Sequence, residues 1–145
     1  SLTFYEFPNL YSEYNSMDIT QFENESWFEL FPPGKISICT LRLDSYLETN
    51  NIFPKAIKID VEGAEYKVVA GMENFLKYHS PVIIMEYLSE QRGNKAHRQA
   101  EALLRQWNYL AYAIDTDGEI FPLKSTDEYM RIQSAESDNI VYCRK

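Results

Sequence analysis

The stretch Lys58-Ile59-Asp60-Val61-Glu62-Gly63-Ala64-Glu65 decides the fold class. It closes a segment, residues 56–61, in which apolar side chains alternate with charged ones, and this period of two is typical of a β-strand. Gly63 then permits a sharp turn. After the turn, apolar residues recur with the spacing of one helical face, which predicts a helix. These residues are Val68, Val69, Met72, Phe75 and Leu76.

A second apolar run indicates that this strand has a parallel neighbour. Residues 82–85 are consecutive apolar residues, as in a strand buried on both faces of a parallel sheet. Further along, the pattern predicts an amphipathic helix over 96–107, a strand over 109–114, a hairpin turn at Asp117-Gly118 and a last strand over 139–143. This alternation predicts an α/β fold whose sheet is mostly parallel and ends in an antiparallel hairpin.

The N-terminal part of the chain is less regular. Weak alternation over residues 2–7 predicts a strand, and residues 8–33 read as a long loop with one helical turn. Residues 35–43 are rich in apolar and β-branched side chains, which predicts a strand. Asp44 is then expected to cap the short helix that follows it.

Length and composition are those of one globular domain. The chain has 145 residues, and we expect an irregular segment over 1–35 and an α/β core over 36–145. The net charge of −8 repels phosphate backbones and anionic membranes, so neither nucleic acid nor a membrane is an expected partner. Cys39 and Cys143 are interpreted as reduced, buried thiols of a cytoplasmic protein, although the sequence also leaves one disulfide open.

Three carboxylates, Asp60, Glu62 and Glu86, are the candidate catalytic residues. If the strands that end at Asp60 and Glu86 are parallel neighbours, both acids face the crevice at the carboxyl edge of the sheet. Carboxylates there can accept a proton, hold a divalent cation or hydrogen-bond a ligand, and amides at the helix start can hold an anion. Glu62 and Glu65 also suit the positive end of the helix dipole, so a structural role stays open for both. His and Cys residues match no zinc-ligand spacing, and we predict no metal site.

Four segments in this order resemble the FkbM-like methyltransferase family. The match covers roughly residues 38–143 and is loosest after Tyr87. Its most specific part is the Lys-Ile-Asp-Val-Glu-Gly-Ala-Glu string. The segments are TLRLDSYL at 40–47, IKIDVEGAE at 57–65, VVAGM at 68–72 and PVIIME at 81–86.

The resemblance implies a Rossmann-like enzyme that uses S-adenosylmethionine to methylate a hydroxyl of a sugar or natural product. It implies that Asp60 is the base or orients the acceptor and that Glu86 orients the substrate or assists Asp60. Glu62 would support the turn. The aromatic segment Phe22–Phe31 would line the acceptor pocket or simply pack. No two glycines are close enough to form a cofactor-binding turn, so no cofactor-binding residue can be named. The chain would then be the C-terminal half of such a domain, inactive by itself.

The missing half has a structural consequence. The strand that ends at Asp60 would lose a neighbour and present an exposed edge, which invites pairing. Residues 1–43 would cover this edge, or the protein would form a homodimer through it, or the chain would aggregate. Two other functions remain alternatives: a non-catalytic binding module derived from a methyltransferase, and, more weakly, a metal-dependent hydrolase that uses Asp60 and Glu86.

Overall fold

The computed structural model describes residues 1–144, without the side chain of Gln21. The α-helices are α1 (Leu43–Thr49), α2 (Glu65–Gly71), α3 (Glu73–Tyr78), α4 (Lys95–Gln106) and α5 (Thr126–Gln133). Short 3₁₀ turns lie at Asn9–Tyr14, Thr20–Phe22 and Glu90–Arg92. The strands are β1 (Leu2–Glu6), β2 (Gly34–Ile38), β3 (Ala56–Ile59), β4 (Val82–Leu88), β5 (Tyr109–Ile114), β6 (Ile120–Pro122) and β7 (Ser137–Arg144).

The main sheet has the strand order β3-β4-β7-β5-β6. Only β3 and β4 pair in parallel, whereas the pairs β4–β7, β7–β5 and β5–β6 are antiparallel. The α/β class is confirmed, but the prediction of a mostly parallel sheet is wrong. The reason is the position of β7: the last strand enters between β4 and β5 and runs against both, although these two strands share one direction.

All five helices contribute to one hydrophobic core on one face of the sheet. On β4, the alternate residues Ile83, Met85 and Tyr87 are buried in this core, and Ile84 and Glu86 on the opposite face are half-buried. The helices supply Leu47, Val69, Phe75, Leu76, Ala100, Leu104 and Met130 to the same core. The site residues on the other face therefore lie away from the helix layer.

Several predicted boundaries differ from the structure. The strand predicted over 35–43 ends at Ile38, and Leu43 already begins α1. Asp44 does not cap α1, because it lies inside that helix and its carboxylate binds amides of α3. The single helix predicted after Gly63 is two helices separated at Met72, whose φ of −121° and ψ of 25° interrupt the α-helical backbone.

The sequence reading missed α5 and misjudged the cysteines. Ser125 caps α5 by accepting a hydrogen bond from the Glu128 amide at 3.2 Å. A Ser followed three residues later by Glu is a known helix-start signal, so the sequence did contain the evidence for this helix. Both cysteines are unpaired, as predicted, but Cys39 is exposed and Cys143 is only half-buried. Among residues 1–144, no helix combines the length and apolar character needed to cross a bilayer.

The N-terminal segment forms a small unit of its own. Strands β1 and β2 pair with each other in an antiparallel two-stranded sheet. Within residues 1–144, β3 pairs only with β4, so the outer edge of β3 is open. Residues 1–43 therefore do not cover this edge by strand pairing, and the three predicted outcomes, another form of cover, a homodimer and aggregation, stay predictions.

Candidate active site at the carboxyl edge of the parallel strand pair

The parallel pairing of β3 and β4 sets the position of the candidate site. Ile59 lies opposite Met85 in the register, so Asp60 and Glu86, the next residue on each chain segment, are neighbours at the carboxyl edge. Side-chain direction alternates along a strand, so these two acids lie on the face opposite to the buried Ile59 and Met85. The predicted neighbourhood of Asp60 and Glu86 is thus confirmed.

Glu62 completes a cluster of three carboxylates. One carboxylate oxygen from each of Asp60, Glu62 and Glu86 lies within 4.8 Å of the other two. Asp60 is exposed, and the other two are half-buried. Oxygen ligands of this kind suit a hard divalent cation as well as a hydroxyl ligand. The catalytic role of the three residues and the absence of a metal therefore stay predictions.

The turn that carries the cluster has an unusual backbone. Glu62 and Gly63 both have positive φ, 48° and 91°. The N-terminal segment secures this turn, because the Ser16 hydroxyl donates to the Glu62 carbonyl at 2.6 Å and accepts from the Asp18 amide at 3.0 Å. Ser16 is buried, and it lies 46 residues before Glu62, so local sequence patterns gave no signal for this contact.

The buried carboxylate of Glu65 holds the turn through two backbone amides. Its Oε1 atom accepts from the Gly63 amide at 3.2 Å and from the Val61 amide at 3.4 Å, and the residue is only 1% exposed. The Val61 and Gly63 amides lie before the first residue of α2 and are bound by the protein's own carboxylate, so the expectation that amides of the helix start hold an anion stays a prediction for α2 itself. The structural role that the sequence left open is the role that Glu65 has.

A buried histidine contacts Glu65. The His97 Nε2 atom in α4 lies 3.4 Å from the Glu65 Oε2 atom, and both side chains are almost fully buried. Burial lowers the pKa of His97, while the charges of Glu65 and Asp60 oppose that shift. Sequence reasoning missed this residue, because a single His on a helix is not distinguishable from other helix-face residues without the fold.

The charges in the cluster are not equivalent. Burial, followed by the negative charge of Asp60, raises the pKa of Glu86 above its ordinary value. The Lys58 ammonium lies 3.2 Å from the Asp60 carboxylate, and both side chains are about half-exposed. A half-buried Glu86 beside a Lys-paired Asp60 gives one proton acceptor that is less acidic than an ordinary glutamate.

The described residues contain no glycine-rich turn. The glycines are separated along the chain, and two amides of the β3–α2 turn are already bound to Glu65. The aromatic residues of the N-terminal segment mainly pack on one another, as Trp27 stacks on Tyr11 with ring centroids 4.5 Å apart. The acidic cluster is therefore the candidate site, and no residue is assigned to a cofactor.

Comparisons with known proteins assign the family. The sequence model of the methyltransferase FkbM domain matches residues 2–111. Neither the curated proteins nor the solved structures include a significant match to the chain. The match starts at residue 2, so the N-terminal segment with Ser16 lies within the family region together with all three carboxylates. The chain belongs to the FkbM methyltransferase domain family.

Proposed function

We propose that this chain forms the acceptor side of an S-adenosylmethionine-dependent O-methyltransferase that acts on a hydroxyl of a sugar or natural product. The proposal depends on one observation: the carboxylates of Asp60, Glu62 and Glu86 converge within 4.8 Å at the carboxyl edge of β3 and β4. Family membership supports transferase chemistry and indicates the cofactor that supplies the methyl group. The domain would be a partial, Rossmann-like one, located in the cytoplasm, where unpaired cysteines are the rule.

Glu86 is the best proton acceptor in the cluster. A hydroxyl that attacks a methyl group loses its proton, and a base is most effective when its pKa approaches the working pH. The raised pKa of Glu86 moves it in that direction, with burial as the main cause. Asp60 then orients the hydroxyl, and Glu62 supports the turn that holds both. The assignment exchanges the roles that the sequence suggested for Asp60 and Glu86.

The test is methyl transfer from labelled S-adenosylmethionine to a panel of hydroxylated sugars, using the protein encoded by the complete reading frame. We expect Glu86→Gln to lower turnover by about 10²-fold or more, the usual contribution of a general base. Glu119→Gln, an exposed acid in the β5–β6 hairpin, is the matched control and should retain full turnover. Undiminished turnover of Glu86→Gln would remove Glu86 from the chemistry.

The pH profile separates a base from a merely structural glutamate. Glu86 accepts a proton only when ionised, so turnover should fall as the pH drops through its raised pKa. Asp60→Asn removes the neighbouring negative charge and should move this acidic limb to lower pH. If the acidic limb of the pH profile is the same in Asp60→Asn, the charge of Asp60 does not raise the pKa of the catalytic base.

A non-catalytic binding module is the second candidate. The observation that favours it is the occupation of two turn amides by Glu65, because these amides are then closed to a cofactor. Calorimetry of this chain with S-adenosylmethionine tests the point, and we expect no measurable binding. Micromolar binding to the chain would show that the described residues hold more of the cofactor site than we infer.

A further inference from the structure

A cavity beside the carboxyl end of β4 has the lining of a binding site. It has a volume of about 420 Å³, within the range of small-molecule sites, and it lies beside Ser89, the residue after β4. Three arginines line this cavity together with three acids, Glu90, Asp127 and Glu136, so its lining carries both signs of charge. We call it the arginine pocket and define it by Ser89, Arg92, Arg98 and Arg131.

The three arginines differ in how firmly they are held. The Arg98 Nε atom lies 2.8 Å from Asp127, whose carboxylate also accepts from the Tyr87 hydroxyl at 3.0 Å and the Asn94 amide at 2.9 Å. Because this network is satisfied internally, Arg98 forms a fixed wall of the pocket. Its charge is already balanced by Asp127.

The other two guanidinium groups are available to a ligand. Arg92 pairs with Glu136 at 3.1 Å, but the Glu136 side chain is 80% exposed, and surface pairs of this kind are weak and exchangeable. Arg131, on α5, is in no ion pair that the structure shows within residues 1–144. Guanidinium groups bind carboxylates and phosphates through paired hydrogen bonds, so Arg92 and Arg131 suit an oxyanion.

Ser89 adds an independent observation. The residue is 5% exposed, and its hydroxyl is buried without a hydrogen-bond partner in the part of the chain that the structure describes. Burying a hydroxyl in this way is unfavourable unless a partner is supplied. Ser89 also lines the pocket, so a ligand oxygen there would be a partner for this hydroxyl.

We propose that the arginine pocket binds a small hydroxylated ligand through its carboxylate or phosphate group, held by Arg131, Arg92 and the Ser89 hydroxyl. The acidic cluster lies on the opposite face of the sheet, because Glu86 points away from the helix layer and the pocket is built from residues of α4 and α5. The pocket is therefore a site separate from the cluster, and its binding does not depend on the proposed function.

The experiment measures binding by calorimetry, without cofactor, of three probes: glucose, glucuronate and glucose 6-phosphate. One or both anionic sugars should bind at least about tenfold more tightly than glucose, because a charge-assisted hydrogen bond contributes that much. The tighter of the two identifies the group as carboxylate or phosphate. Arg131→Gln should lose about tenfold of this affinity, whereas Lys55→Gln, the same charge change before the amino end of β3, should lose none.

Ser89→Ala gives a second, independent readout. Removal of an unpartnered hydroxyl should leave the thermal midpoint unchanged or raised, yet weaken binding of the anionic sugar. Equal affinity for glucose and both anions, no binding of any probe, or an Arg131→Gln variant that binds like Lys55→Gln would each overturn the proposal.

Discussion

Asp44 is a buried carboxylate that caps a helix other than its own. It lies in the first turn of α1, yet its Oδ1 atom accepts from the Phe75 amide at 2.8 Å and its Oδ2 atom from the Asn74 amide at 3.2 Å. These two amides belong to the first turn of α3, which has no cap from its own N-cap residue. Arg42 adds an ion pair at 3.2 Å. Asp44 therefore ties α1 to α3.

Asp44→Ala should lower the free energy of unfolding by about 1–2 kcal/mol, because two amides lose the acceptor that caps them. Urea denaturation of this chain measures the loss. Asp44→Asn retains one carbonyl oxygen and should lose less. Glu48→Ala, an exposed acid on the same helix, should change stability by less than about 0.5 kcal/mol. A loss in Asp44→Ala no larger than in Glu48→Ala would show that the cap contributes nothing.

Glu65 shows what a residue-level reading of the sequence can and cannot reach. An acid at the start of α2 suits the helix dipole, and the sequence left its structural role open for that reason. The surroundings of its two oxygens, the turn amides at Oε1 and the His97 ring 3.4 Å from Oε2, follow only from the turn geometry and the packing of α4 on α2. Long-range contacts of this kind have no periodic signature along the chain.

At the scale of the element, the β3–α2 turn depends on Gly63. Its φ of 91° is a conformation that residues with a Cβ atom adopt only with strain. The space around it is sufficient, because an added Cβ would lie 4.0 Å from the Asp18 Cβ atom. Glycine is therefore required at this position by the backbone conformation and not by lack of space for a side chain.

Gly63→Ala should cost about 1–2 kcal/mol of stability from left-handed backbone strain. Gly118→Ala is the matched control, because Gly118 has a φ of 83° in the β5–β6 turn and no neighbour that an added Cβ would meet. Both variants should lose similar stability in urea, but only Gly63→Ala should shift the titration of the Glu86 carboxyl measured by NMR. If the Glu86 carboxyl titrates identically in both variants, the conformation of the β3–α2 turn does not influence the acidic cluster.

The elements that the sequence predicted best are those whose pattern is local. The period of two in β3 and the apolar run in β4 located Asp60 and Glu86 at strand ends, and their proximity followed from one parallel pairing. Helix α5 was not predicted, because it has few apolar positions, although Ser125 and Glu128 mark its start. A capping signal without a strong apolar stripe is easily overlooked.

At the scale of the whole molecule, the sequence could not predict where β7 lies. Its apolar pattern predicts a strand but contains no information about neighbours, and β7 contacts strands that precede it by about 30 to 60 residues. The insertion of β7 makes the sheet mostly antiparallel while β3, β4 and β5 still point the same way. The alternation of strands and helices is therefore a sound guide to strand direction but not to strand order.

The open edge of β3 predicts self-association of the chain. The Lys55 carbonyl accepts from the Val82 amide at 2.9 Å, so the backbone of that residue faces β4, and alternation directs the Ala56 amide outward. Unpaired amides on an edge are a template for another strand. The exposed Lys58 and the shortness of β3 oppose this pairing, so we expect a weak homodimer that forms as the concentration rises.

Ala56→Pro removes an outward amide at the first position of the strand, where proline is tolerated. Sedimentation velocity over a concentration series should show dimer for the unsubstituted chain and for Ala56→Val, which retains the amide, and monomer for Ala56→Pro. An unsubstituted chain that is monomeric throughout would refute self-association. A dimer that survives Ala56→Pro would show that the interface does not use the edge of β3.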